Sequence, residues 1–371
     1  MGKTMCAIGL MSGTSMDGID VAQITTDGEQ RLERGPFLSI AYKAAFRTRL
    51  AAAIAEARGL ADRLARSPLL AAVERELTDR HADTVRSFIG THGLAPGAVA
   101  VIGFHGHTVL HAPQRRLTVQ IGDGRRLAEL TGIDVVADLR AADCAAGGQG
   151  APLAPVYHRA LAARLAERPL ALVNIGGVAN VTYVGAAGEL LAFDTGPGGA
   201  MIDDWMQRHG AAAYDAEGAL AARGSVHEDL VARHLRHPYY AAPPPKSLDR
   251  NAFVDASLDG LSAADGAATL TAFTAAGIAA ARAYLPTAPS RWIVSGGGRR
   301  NRTLMGMLAT QLGTPVTPAE AVGIDGDALE AEAWAYLAVR ALQGLPISFP
   351  GTTGVPAPIS GGVLFAAAGR L

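Results

Sequence analysis

Apolar residues run in short blocks along this chain, and glycine breaks most of them. Residues 5–11 and 19–26 alternate as two strands joined by "SGTSMDG" (12–18). The alanine-rich stretch 44–90 has helical spacing, interrupted at Pro68. "VAVIGFHGHTVLHAP" (99–113) and "LTVQIGDGRRLAELTGIDVVADLR" (117–140) predict strand, turn, helix and strand, with Val99–Gly103 and Asp134–Leu139 as buried strands. The loop "AADCAAGGQGAPLAP" (141–155) leads into a predicted helix at about 153–167. At 170 the pattern restarts. "LALVNIGGVANVTYV" (170–184) reads as strand, glycine turn, strand, and "GELLAFDTGPGGAMIDDWMQ" (188–207) as strand, glycine-rich turn, helix. Residues 212–260 are polar and proline-rich in places with short helices, and 268–285 is helical. "RWIVSGGGRRNRTLMGML" (291–308) predicts strand, triple glycine, helix; a further helix covers 327–343, behind Asp325 and Asp327.

Alternating strands and helices argue an α/β fold, and the restart near 170 argues two related halves. The expected domains are 1–140 with the glycine- and proline-rich tail from about 345 to 371, and 141–344. A length of 371 residues, 49% hydrophobic, suffices for two cores. The formal net charge of −1 gives no electrostatic reason to expect nucleic acid or an anionic membrane as partner. Two cysteines in unrelated contexts, Cys6 and Cys144, form neither a disulfide framework nor a metal site and suit a reducing compartment. The N-terminus enters an apolar strand pattern directly, and "MGKTMC" lacks the hydroxyl residue of a myristoylation signal. No run of about 18 apolar residues occurs, so the expected location is the cytoplasm.

Two short matches to proteases fall away. "GTSM" resembles a subtilisin-type nucleophile turn, but that triad runs Asp, His, Ser, and no histidine precedes Ser15. "DTG" (194–196) resembles an aspartic-protease triplet, which needs a second such carboxylate, and no other DTG or DSG exists here. Phosphate binding fits better. Three glycine-rich turns directly follow apolar strands: "MSGTSMDGID", "NIGGVAN" with "DTGPGGA", and "SGGGRRN". Glycine lets backbone N–H groups approach a phosphate, and Ser12, Thr14 and Ser15 add hydroxyl donors. No turn matches the lysine-bearing phosphate loop, and the first lacks the dinucleotide fingerprint. One such turn alone is equally a tight connection without ligand. Three in this order resemble the actin, hexokinase and heat-shock ATPase superfamily, which clamps ATP between two duplicated domains.

Carboxylates accompany the turns. Asp17 and Asp20 flank the first, and Asp194 closes a predicted strand at the second. Phosphoryl transfer needs a positioned base and Mg²⁺, which makes Asp194 the base candidate and Asp17, Asp20 or Glu330 candidates for the metal, mostly through water. Asp203 and Asp204 read as surface residues, and Asp123 reads equally as the N-cap of "GRRLAEL".

The chain resembles the 1,6-anhydro-N-acetylmuramic acid kinases. The likeness begins at "GLMSGTSMDGID" (9–20) and continues through "GFHGHTVLH", "TVQIGDG", "DLRAADCAAGGQGAPLAP", "VNIGGVANVT", "FDTGPGGAMID", "PPKS", "SGGGRRN" and the "EA" within "DALEAEAWAYLA", covering essentially the whole chain. The family usually has Gln where this chain has His107, and Asn where it has Gly199. The resemblance implies two ribonuclease-H-like α/β domains with an interdomain cleft for ATP and sugar. It also implies hydrolytic opening of the anhydro bridge with phosphorylation of O6, giving N-acetylmuramate 6-phosphate in peptidoglycan recycling. Asp194 is the implied catalytic base. The nucleotide is expected at Gly13, Thr14, Ser15, Met16, Asp17, Gly18, Ile19 and Asp20, at Asn174, Gly176 and Gly177, at Gly196 and Gly198, and at Gly296, Gly297 and Gly298, the last three packing on adenosine. His105, His107, Gln149, Gly150 and Glu330 are expected at the sugar, with the histidines open to a purely structural reading as loop residues satisfied by backbone. Mg²⁺ and a homodimer are also implied. A kinase for another sugar of this superfamily, and a non-catalytic ATP-driven chaperone or assembly module, stand as alternatives.

Overall fold

The computed structural model describes residues 3–210, 212–248, 253 and 258–368. Its strands, in chain order, are β1 (Met5–Ser12), β2 (Gly18–Thr26), β3 (Leu32–Ala41), β4 (Val99–Ala112), β5 (Leu117–Ile121), β6 (Val135–Ala137), β7 (Leu170–Ile175), β8 (Val178–Val184), β9 (Leu190–Pro197), β10 (Arg291–Ser295), β11 (Val316–Pro318) and β12 (Val363–Phe365). They form two sheets, ordered β12-β6-β4-β1-β2-β3 with β5 on β4, and β11-β10-β7-β8-β9. One plan recurs in both. Three antiparallel strands come first, β1–β2–β3 or β7–β8–β9. The first of each trio then pairs in parallel with a later strand, β4 or β10, which pairs in parallel with β6 or β11. This is the ribonuclease-H-like order, so the α/β class and the duplicated halves both hold.

Contacts among the residues divide the chain into two compact units. One runs to Ala163 and resumes at Ala328; the other is Arg164–Asp327. The sequence pattern sets these limits near 140 and 345, and the difference has a packing cause. Helix Leu329–Leu342 lies on β1, β2 and β4 of the first sheet. Helix Pro155–Ala162, shorter than the predicted 153–167, lies against it, with the Tyr157 hydroxyl donating to the Glu332 carboxylate at 2.7 Å. Arg34 Nε donates to the other oxygen of Glu332 at 2.8 Å, so this carboxylate, 1% exposed, is buried with partners on both oxygens.

Two strand glycines let the helix come so near. Gly9 and Gly103 are register partners in β1 and β4. A Cβ on Gly9 would stand 1.8 Å from the Ala331 carbonyl oxygen, and one on Gly103 would stand 2.0 Å from that of Trp334. The helix answers with small side chains, since Ala331 and Ala335 are fully buried. Backbone therefore rests on backbone, and the fit depends on the missing methyl groups.

The second unit is organised around helix Ala263–Ala280, buried from Gly266 to Ile278 on every side. It packs on β8, β9 and helices Ala200–Arg208, Glu228–Leu235 and Arg302–Leu312. Its start is fixed by Ser262, whose hydroxyl accepts from the Asp265 N–H at 3.1 Å. Among the described residues no helix is long and apolar enough to cross a membrane.

Gly103→Ala is expected to destabilise the protein by about 2–3 kcal/mol, because overpacking here pushes on main chain. Gly90, within helix Pro68–Thr91 and with nothing within 4 Å of its Cβ position, is the contrast. Gly90→Ala should stabilise by roughly 0.5–1 kcal/mol. Urea unfolding of both variants checks the pair.

Candidate active site

Asp194 lies in β9, opposite Asn180 of β8 and beside a β-bulge at Ala179/Asn180. The strand continues to Pro197, so the carboxylate does not sit at the strand end, where the sequence pattern puts it. A strap from 239 to 248 crosses this point. The Asp194 N–H donates to the Lys246 carbonyl at 3.0 Å, and its carbonyl accepts from the Tyr239 hydroxyl at 2.6 Å. The Leu248 N–H donates to Oδ2 at 2.7 Å. The Lys246 ammonium anchors the strap, donating to the Tyr239 carbonyl at 3.0 Å and lying 4.6 and 4.7 Å from the ring centres of Tyr284 and Tyr239. Burial raises the Asp194 pKa to about 7, and the Leu248 amide opposes the shift only in part. A carboxyl group poised there is suited to take a proton near neutral pH.

The glycines of this unit meet in one place. β7 and β10 run in parallel with Asn174 beside Ser295, so the turns at 176–177 and 296–298 leave adjacent strand ends. The Gly198 and Gly199 N–H groups donate to the Gly177 and Gly176 carbonyls at 2.9 and 2.7 Å, which brings the chain after β9 to the same spot. Gly296 has φ +73°, and a Cβ there would lie 2.4 Å from Asn174 Oδ1. Gly297 is open, with nothing within 4 Å of its Cβ position. Gly196, within β9, lies under Tyr240 rather than with these, a Cβ there standing 2.8 Å from the Tyr240 hydroxyl. Helix Ala263–Ala280 supports the group from behind, the Thr274 hydroxyl donating to the Gly198 carbonyl at 2.8 Å.

In the first unit the turn after β1 is closed by the Met16 N–H, which donates to the Gly13 carbonyl at 3.0 Å with Met16 at φ 58°. Thr14, Ser15 and Asp17 are exposed, Asp20 is half-buried in β2, and Ile19 is in the core. Gly18 fits under the Ile40 carbonyl, where a Cβ would stand 2.2 Å away. Ser12 is different from the hydroxyl residues beside it. Its side chain is buried, accepts from the Tyr42 hydroxyl at 2.8 Å and pairs with His107 Nδ1 at 3.0 Å. Its hydroxyl is therefore committed inside the fold and is withdrawn from the donors counted for phosphate.

His107 is fully buried on β4. His105, also on β4 rather than in a loop, stacks on Trp334 at 4.4 Å, with its Nδ1–H donating to the Gly106 carbonyl at 2.9 Å and its Nε2 accepting from Arg140 Nε at 3.0 Å. Burial and the neighbouring Arg140 charge hold His105 neutral. Arg140 also donates to the Gly150 carbonyl at 2.8 Å, and Asp143 accepts from the Gly150 N–H at 2.6 Å. The Gln149 N–H donates to the Thr353 carbonyl at 2.7 Å, so "GGQGAP" is pinned by Arg140, Asp143 and the C-terminal segment. Glu330 is exposed in the first turn of helix Leu329–Leu342, and its charge reaches Arg140. A cavity of about 140 Å³ opens beside His105, lined also by Arg63, Arg66, Gln120 and Asp138. Asp123 caps helix Gly124–Thr131, accepting from the Arg126 N–H at 2.9 Å, the structural reading of that residue.

Comparison with known proteins now decides the family. A family model for anhydro-N-acetylmuramic acid kinase matches residues 5–367. The chain is 53% identical over 365 residues to the anhydro-N-acetylmuramic acid kinase of Rhodospirillum rubrum, covering 98% of this chain and 94% of that one. It is 54% identical over 361 residues to that of Rhizobium etli, covering 96% and 98%. With that of Rhizorhabdus wittichii it shares 55% over 360 residues, covering 97% and 98%. The chain belongs to the anhydro-N-acetylmuramic acid kinase family.

In this anhydro-N-acetylmuramic acid kinase family member, three groups at the site escaped sequence reasoning. Arg140 stands in "DLR", a quoted motif to which no role was attached; a buried arginine between His105 and Gly150 has no local signature. The strap residues Tyr239, Lys246 and Leu248 reach Asp194 from about 50 positions away; the signals were the motif "PPKS", to which no role is attached, and the scarcity of lysine, present only at 3, 43 and 246. Tyr42 ties both ends of the first turn, its N–H donating to the Asp17 carbonyl at 2.8 Å.

The raised Asp194 pKa has a consequence for stability. Folded Asp194 holds its proton up to about pH 7, whereas the unfolded chain releases it near the ordinary value of 3.8. Between these values the folded state binds more protons, so this group's contribution falls as pH rises through that window. Asp194→Asn removes the buried charge and keeps an acceptor for Leu248. Its Tm should exceed that of the parent at pH 8, and the difference should shrink or vanish at pH 4; thermal scans at the two pH values measure it.

Proposed function

We propose that the protein opens 1,6-anhydro-N-acetylmuramic acid with water and transfers the γ-phosphoryl group of ATP to O6, giving N-acetylmuramate 6-phosphate and ADP in peptidoglycan recycling. The observation that carries this reading is a carboxyl group poised near neutrality, Asp194, in a family member whose glycine turns converge in the same unit. Asp194 takes a proton from water as its oxygen attacks the anomeric carbon. The C1–O6 bond breaks, O6 leaves and attacks the γ-phosphorus, and the bond from that phosphorus to the β-bridging oxygen breaks. One proton acceptor thus serves two bond changes.

The residues after β1 are assigned to the nucleotide, with Thr14 and Ser15 offering hydroxyls and the turn offering backbone N–H groups. Gly176, Gly177 and Gly198 are assigned to the phosphates and Gly296, Gly297 and Gly298 to the adenosine side. The bare Cβ side of Gly297 favours a flat partner there. His105, Gln149, Gly150 and Glu330 are assigned to the sugar, directly or by shaping its pocket. Among the described residues no group of three or more His, Cys, Asp or Glu is placed to hold a metal ion. The ion is assigned mainly to phosphates and water, with exposed Asp17 and half-buried Asp20 as the protein's contribution. Bound there, Mg²⁺ neutralises charge on the transferring phosphoryl group. Part of the same proposal is that the protein works in the cytoplasm as a homodimer.

The test is turnover in ¹⁸O-water with the anhydro-sugar and ATP. Label is expected at the anomeric oxygen and not in the phosphate; label in the phosphate, or turnover only of sugars lacking the bridge, contradicts the reading. Asp194→Asn should bind ATP nearly as the parent does while losing at least about three decades of kcat. Near-normal turnover would remove Asp194 from its role.

A further inference from the structure

The turn at 12–18 is fastened from beneath by three buried side chains, and counting their protons gives one favoured arrangement. Tyr42 OH donates to Ser12 Oγ at 2.8 Å, and Ser12 Oγ lies 3.0 Å from His107 Nδ1. Ser12 is 1%, His107 0% and Tyr42 7% exposed, so water does not complete these bonds from bulk. If Nδ1 carried the ring proton, both the Ser12 hydroxyl hydrogen and Nε2 would be left unpaired. If Nε2 carries it, Ser12 donates to Nδ1 and only the Nε2–H remains, since His107 Nε2 has no partner among the described residues. The second count is lower by one buried polar group.

His81, also buried, lies nearby. Its Nδ1–H donates to the Leu77 carbonyl at 2.7 Å, which leaves its Nε2 a bare acceptor, also without a partner. Its ring packs on Phe104 of β4 at 4.9 Å, and it senses the charge state of His107. Burial pushes both imidazoles to about 4, so both stay neutral at physiological pH.

We propose that His107 is a positioning residue for the nucleotide turn: fixed as the Nε2–H tautomer, it accepts the Ser12 proton and, through Ser12, sets the chain from Gly13 to Asp17. Tyr42 completes the clamp, because its N–H holds the Asp17 carbonyl while its hydroxyl holds Ser12 at the other end of the turn. The inference rests on the reading of 12–18 as a phosphate turn. Glutamine can replace the ring, since its carbonyl accepts from Ser12 and its amide supplies a donor; leucine can do neither.

Two measurements on the full-length protein test this. ¹⁵N-histidine spectra, with His107 assigned by the loss of its signals in His107→Gln, should show Nε2 protonated, Nδ1 bare and no titration between pH 5 and 8. An Nδ1–H signature overturns the proposal. Calorimetry with ADP and Mg²⁺ should show binding about tenfold weaker in His107→Leu and in Ser12→Ala, and within about threefold of the parent in His107→Gln. Folded His107→Leu binding as tightly as the parent overturns it. Should that variant fail to fold, Ser12→Ala decides by the same criterion. A parent protein that binds no nucleotide sinks the functional reading itself, whereas insensitive variants of a binding-competent parent sink only the clamp.

Discussion

A half-buried carboxylate, partly desolvated and given one amide in return, is the constraint around which the second unit is built. Charge in such a place is expensive, and the usual response is to keep the proton. The Leu248 N–H returns part of the lost solvation to Asp194, and the strap that delivers it must itself be held. The Lys246 ammonium between two tyrosine rings, and the Tyr239 hydroxyl on the Asp194 carbonyl, do that holding. Beneath, the buried helix Ala263–Ala280 touches β9 and the Gly198 carbonyl, so the strand bearing Asp194 is supported from both sides. The pKa and the enclosure are then one property: loosening the strap would rehydrate the carboxyl group and return its pKa toward the ordinary range.

The first unit solves another problem, that of bringing main chain close to main chain. Gly9 and Gly103 let a helix settle on the sheet, and Gly18 lets the turn settle under β3. The same unit carries its polar side chains in buried, partnered sets: Tyr42–Ser12–His107, His105–Arg140, and Arg34–Glu332–Tyr157. Histidines placed this way are neutral fixtures rather than switches, since burial drives their pKa down.

Much of the fold was legible because its signals are local. Strand alternation, glycine punctuation and the restart at 170 need only neighbouring residues, and they yield the two α/β halves. Membership of helix Leu329–Leu342 in the first sheet is a contact across more than 300 positions, and local periodicity cannot assign it. The glycines inside β1 and β4 were the available clue, because a glycine within a strand marks close backbone approach. At the site, residue types were readable but burial was not. Ser12 looks like Thr14 and Ser15 in sequence, yet β1 carries it inward to Tyr42 and His107 while its neighbours face solvent. Asp194 is singled out in sequence by its place beside the second glycine turn, whereas the groups that tune it come from a distant proline-rich loop.

The central claim, that enclosure by protein poises Asp194 to exchange a proton near neutrality, is tested most directly by titrating that carboxyl group. Carbon-13 NMR of the side-chain carboxyls, with Asp194 assigned by its absence in the asparagine variant, follows it alone. The account predicts a midpoint at about 7 in the free protein. A midpoint near 4, that of an ordinary solvated aspartate, would contradict it.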